Sequence, residues 1–161
     1  MSDFFATWDL IRKRFIGEFA GLTEDQLNWR IHPNALTIGE SALHVYGVEV
    51  SFLSQLLGTE LDEFGIRVKA SSVDGVVNEN PFPFSADEIT QDVIAKAQQL
   101  AYSLVEPVIT NLTEEIRAKS LKSALGPIID GTGAMARLAY HPGYHQGQVY
   151  LIKTSPDFPR A

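Results

Sequence analysis

Residues 37–58 read "TIGESALHVYGVEVSFLSQLLG", and their reading decides the fold. Thr37 followed three residues later by Glu40 is a capping-box pattern. The hydroxyl accepts from the Glu40 backbone N–H, and the carboxylate reaches back to the N–H of Thr37. Gly58 supplies the stop. Between these ends Ile38, Ala42, Val45, Phe52 and Leu56 fall on one stripe at about 100° per residue. The pattern predicts a helix from about Thr37 through Leu57.

Two residues of this helix do not fit a plain amphipathic surface. Glu49 falls near the centre of the apolar stripe. A buried carboxylate needs a partner, because unpaired burial costs several kcal/mol, and Arg14 or Arg137 is the cation expected to supply it. His44 lies off the stripe, beside Glu40, Gly47, Ser51 and Gln55. A solvent-exposed face is one reading, but such faces carry Lys, Arg and Glu, whereas after Glu40 this helix bears a single charge. A small neutral polar strip around one histidine fits a pocket wall better. Glu40 itself is explained as the capping-box acid.

Upstream, Phe4, Trp8, Ile11, Phe15, Phe19 and Leu22 recur at helical steps and predict a first helix that Gly21 ends. Thr23 with Gln26 is another capping box, opening a short turn of helix. "HPNAL" is a turn, and His32 within it is expected to be exposed. Downstream, Gly58 to Phe84 shows no sustained period, and so long a connection is either functional or a crossover. Ser85 with Glu88 is a third capping box, predicting a helix that carries Ile89, Val93, Ala97, Leu100, Leu104 and Val108, bent or ended by Pro107. "LTEEIRAKS" predicts a short helical turn, and residues from about Thr132 to Lys153 a last long helix. With almost no strand signal, four long amphipathic helices indicate one domain, residues 1–161, of all-α class: a four-helix bundle. The long second connection lets the second and third helices run parallel.

Composition narrows the function. Thirteen basic against 20 acidic residues give a net charge of −7, which argues against a nucleic-acid surface. No apolar run approaches the roughly 18 residues of a membrane span. The opening "MSDFFATWDLIRKRF" puts acid early and base late, the reverse of a secretory signal, so a cytoplasmic location is expected. There is no cysteine, which removes disulfides, a thiol nucleophile and thiolate metal ligands. His, Asp and Glu remain as strong metal ligands.

The chain holds four histidines. His141 and His145, in "YHPGYHQGQVYLIK", stand four apart, so an unbroken helix projects both from one face and lets both reach one ion. Gln148 lies on the same stripe. Two histidines satisfied at a helix interface meet the same spacing equally well. Pro142 cannot donate to the carbonyl of Leu138 and disfavours helical dihedrals at His141, so the helix should kink there or restart. A third ligand must come from another segment, and His44 is the candidate.

"GLTEDQLNWRIHPNALTIGESALHVYGVE", followed far downstream by "HPGYHQGQVYLI", resembles the DinB-like (damage-inducible) superfamily of helical bundles, over nearly the whole chain. That resemblance implies an up-down-down-up bundle, often a homodimer. It implies a divalent ion, zinc, nickel or another transition metal, held by His44, His141 and His145. Related members include bacillithiol transferases and mycothiol-dependent maleylpyruvate isomerase, in which the ion activates a low-molecular-weight thiol. The implied function is a metal-dependent thiol S-transferase or isomerase acting on a small molecule. Metal-dependent hydrolysis and a non-catalytic, stress-associated helical dimer with a structural metal are the alternatives. Tyr144, Gln148 and Glu40 are candidate pocket residues, and the aromatic-rich first helix a candidate for the dimer interface. Pro142-Gly143 departs from the helix formers that many members carry between the late histidines.

Overall fold

Local signals set most helix ends in the computed structural model, which describes residues 2–160. Helix α1 (Phe5–Phe19) buries Trp8, Arg12, Phe15 and Phe19 along one face, and Gly21, at φ +78°, turns the chain after it. Helix α2 (Glu24–Asn28) opens on the Thr23/Gln26 capping box, with both reciprocal bonds formed. Helix α3 (Ile38–Leu57) opens on the Thr37/Glu40 box and ends at Gly58 in the left-handed conformation. Asp62 caps helix α4 (Glu63–Ala70), and Thr90 caps helix α5 (Gln91–Thr110). Then come α6 (Glu114–Ala118), a hairpin of β1 (Ser120–Lys122) with β2 (Ile128–Asp130), and α7 (Gly131–Lys153), capped by Asp130.

Side-chain bridges fix the direction of each long helix. Trp8 stacks on Tyr102, Arg12 donates to the Gln98 carbonyl, and Gln91 donates to the Phe19 carbonyl, so α1 and α5 are antiparallel. Gly143 abuts Ile11, and Lys153 pairs with Glu18, so α1 and α7 are parallel. Gly39 packs on Ile89 and Tyr46 donates to Gln98, so α3 and α5 are parallel. The order is therefore up-down-down-up, and the connection from Gly58 to Thr90 is the crossover that returns the chain along the bundle. Two apolar clusters fill the interior. One is built around Phe15, Phe19, Leu43, Tyr46 and Ile94, the other around Trp8, Phe52, Leu56, Ile109 and Met135.

Several expectations are corrected. Glu49 pairs with Arg12, not Arg14 or Arg137: Nε and Nη2 of Arg12 each lie 3.2 Å from a carboxylate oxygen. Trp8 Nε1 donates to the same carboxylate at 2.9 Å. Arg12 sits one helical turn above Trp8 on the inward face of α1, which is why it, and not the exposed Arg14, reaches the core. Burial alone would lower its pKa, but Glu49 outweighs that and raises it, so the guanidinium stays charged. The Ser85/Glu88 pattern does not open a helix. The Ser85 hydroxyl donates to Glu88, whose carboxylate also accepts from Arg67, and the motif closes an isolated turn before Thr90 caps the real start. The crossover contains α4, for which Asp62 is the local signal. The hairpin around Gly126, at φ +100°, lies in a stretch too short for a period of two to stand out.

Helix α3 is buried on every side from Ile38 to Val50. It occupies the middle of the molecule, with α5 against its apolar stripe and α4 and α7 against the opposite side. The strip around His44 is thus an interior wall from Glu40 through Gly47, and it reaches solvent only beyond, at half-buried Ser51 and exposed Gln55. Gly47 makes the close approach of α4 possible. A Cβ there would stand 2.5 Å from the Val68 carbonyl oxygen and 2.8 Å from the Ser72 nitrogen. Helix α7 runs through Pro142 as one element from Gly131 to Lys153, and Gly143 lets it lie against Ile11 of α1. No helix among the described residues is long and apolar enough to cross a membrane.

Candidate metal centre

Helix α3 brings His44 into the interior, and α7 presents His141 and His145 one turn apart on the facing side. The three rings meet with centroids 4.6–5.0 Å apart. One ring nitrogen from each lies within 4.8 Å of those of the other two. His141 and His145 bring their Nε2 atoms to 3.1 Å of each other. Two nitrogens bound to one tetrahedral ion at about 2.0–2.1 Å stand about 3.3–3.4 Å apart, so little movement separates this arrangement from a chelating pair.

His44 is oriented from behind. Its Nδ1 lies 2.9 Å from the Ser71 carbonyl oxygen at the C-terminus of α4, which places the proton on Nδ1 and leaves Nε2 free. A backbone carbonyl in that role is the usual support of a metal-ligating histidine. It depends on Gly47, which admits α4 to within reach. The outer Nδ1 atoms of His141 and His145 are buried without a protein partner. Gln148 comes close enough to raise the His145 pKa, without a hydrogen bond of ordinary geometry to that nitrogen.

All three rings are held neutral. Burial lowers the pKa of His44, with the Ser71 bond opposing. Burial, together with the repulsion of its two neighbours, pushes His141 down to about 2. Burial and His44 push His145 down to about 3. A neutral imidazole with a free lone pair is the form that binds a cation. Three neutral rings converging, one already oriented by a carbonyl, fit a divalent transition metal bound by His44, His141 and His145, with the remaining coordination positions left to other groups.

These rings form part of the wall of a cleft of about 810 Å³. Tyr144 and Gln148 line it. Glu40 does not: its carboxylate accepts from Thr37 N at 2.8 Å and from Arg30 at 2.6 Å, and it borders a separate depression. His32 is exposed, at the rim of the cleft. Reading the sequence misses Arg137, Ser123, Val76 and Val77 as lining residues. For Arg137 a signal existed, because it lies four residues before His141 on the same stripe. The others reach the cleft from the crossover and the hairpin, where no periodic pattern announces a face.

No protein-family model matches this chain, and no curated protein matches it. Among solved structures it is similar to a DinB-like protein from Bacillus cereus, with 18% sequence identity, a TM-score of 0.62, and coverage of 98% of this chain and 95% of that one. Likeness at that identity carries the fold and not the chemistry. The chain has the DinB-like helical fold.

Proposed function

We propose that this chain is a divalent-metal-dependent enzyme that activates a low-molecular-weight thiol for transfer to, or isomerisation of, a small electrophilic substrate. One observation carries the reading: three neutral imidazoles converge at the wall of an open cleft. A purely structural site would be closed by four protein ligands, whereas three with access to a cleft is the catalytic pattern. When bound, the ion supplies Lewis acidity that lowers the pKa of a coordinated thiol or water.

The chain's own residues do the rest. Ser71 fixes the His44 ring, and the buried walls formed by Val48 and Phe52 keep water from one side of the site. Tyr144 and Gln148 offer a hydroxyl and an amide to orient a substrate. Among the described residues, neither Asp nor Glu lines the cleft. A hydrolase that activates water commonly relies on such a carboxylate as general base, and a thiol, with its lower pKa near 8.5, needs less help. That contrast favours thiol chemistry over hydrolysis. Without cysteine in the chain, the thiol must arrive as a small molecule.

The test uses protein loaded with zinc or nickel, a small thiol such as N-acetylcysteine, and monochlorobimane as acceptor. The expected result is conjugation well above the uncatalysed rate, abolished in His44→Ala together with the bound metal. Hydrolysis of p-nitrophenyl acetate without thiol-dependent conjugation would replace this reading by the hydrolytic one. For the assembly, we propose a homodimer that does not use the α1 aromatics, because Trp8, Phe15 and Phe19 are buried in the protomer's own core.

A further inference from the structure

Arg137 lies one helical turn before His141 on α7, on the stripe that continues through His145 and Gln148, and it lines the same cleft. It is partly buried, yet among the described residues it has no carboxylate within 4.0 Å and no hydrogen bond. This is anomalous in a chain with 20 acidic residues against 13 basic. Arg12, Arg30, Arg67 and Arg117 all have carboxylate partners, and Arg14 and Arg160 are exposed. Among the arginines of the described residues, Arg137 alone is drawn out of solvent without a partner.

The rest of the cleft sharpens the point. Among the described residues no Asp, Glu or Lys lines it, so the histidines aside, Arg137 is the one ionisable cation they bring to the cleft. Ser123, in the same wall, is 97% buried, since only 3% of its surface is exposed, and its hydroxyl has no protein partner. Around these polar groups stand side chains that are both apolar in body and exposed: Ile31, Val77, Leu125, Tyr140, Tyr144 and Leu151, between 41% and 75% accessible. Grouped exposed apolar side chains at the rim of a cleft mark a binding surface. The volume of about 810 Å³ lies in the range of small-molecule sites.

Resting on the reading of this cleft as a substrate site, we propose that it takes a monocarboxylate with an apolar body, its carboxylate paired with Arg137 and its body against the Tyr140, Tyr144 and Leu151 wall. A guanidinium offers two parallel N–H donors that match the two oxygens of a carboxylate. A dianionic phosphate would call for a second cation, and the cleft has none. The carboxylate end sits a helical turn from His141, so the body of such a ligand extends past the three imidazoles.

The test is calorimetric titration of metal-free protein with octanoate and with octanamide, which match in size and differ in charge. Octanoate should bind at least tenfold more tightly than octanamide at low salt. Arg137→Gln should erase that preference while leaving octanamide binding unchanged, and Arg137→Lys should retain part of it. Equal binding of the two probes, binding of neither, or a preference that survives in Arg137→Gln would overturn the proposal. Because no metal is present, the result is independent of the metal reading. A separate zinc titration of the wild-type protein decides that one, and its failure would leave the carboxylate preference standing.

Discussion

Acidifying the metal-free protein should unfold it early, and the three histidines set the magnitude. His141 and His145 have folded-state pKa values of about 2 and about 3, against 6.5 for an unperturbed ring. The unfolded chain therefore binds protons that the folded chain refuses. With more protons on the unfolded state, stability rises with pH, is fully present above about pH 6.5 and falls as pH drops toward the folded values. At about pH 5 each ring that stays neutral in the folded state forfeits about 2 kcal/mol relative to about pH 7.5, so the pair forfeits about 4 kcal/mol. His44, lowered in the same direction, adds to the loss. Against a total stability of about 5–15 kcal/mol, that is a large share. Glu88 is held at about 2 by its Ser85 backbone bond and by Arg67, and its contribution is lost only below the ordinary carboxylate range, outside this window. Urea denaturation followed by circular dichroism at steps between these pH values gives the slope directly. The His141→Gln/His145→Gln variant should be flatter by about 4 kcal/mol over the same interval. A wild-type curve that is flat, or one no steeper than the variant's, refutes the reasoning.

Four other outcomes are expected. His145→Ala should lose bound metal by elemental analysis with its helical signal nearly unchanged, and EDTA should strip the ion without unfolding the domain, because two apolar clusters hold the helices apart from the site. Arg12→Met should cost about 3–5 kcal/mol in chemical denaturation by stranding Glu49 in the core, and adding Glu49→Leu should recover much of that loss. Gly47→Ala should move α4 away from α3, loosen the Ser71 carbonyl from His44 and weaken zinc binding about 10–100-fold in competition titrations, with a stability loss of about 1–3 kcal/mol.

The amino-acid sequence by itself determined the helices, because their signals are local. A threonine hydroxyl reaching the backbone three residues on, a glycine free to take positive φ, and apolar side chains at steps of three and four act within one or two turns of chain. That is enough for α1, α2, α3, α7 and the all-α class, and for noticing that His141 and His145 share a face. Where a pattern had two possible partners, local reading failed. Ser85 and Glu88 have the letters of a capping box, and the carboxylate does accept from the Ser85 N–H, but the Ser85 hydroxyl donates to that carboxylate, which Arg67 also holds from 21 residues away, and the helix begins later. Glu49 was legible as a buried acid, whereas its partner depended on which side of α1 faces α3.

Only the tertiary structure decided that His44 comes within 5.0 Å of rings nearly a hundred residues downstream, that Ser71 holds it there, and that Arg137 and the rim residues share its cleft. These are contacts between elements, made by a parallel crossover and by the depth to which glycines let helices sink into one another. No property of a single segment encodes a distance to another, so packing alone could bring these side chains together.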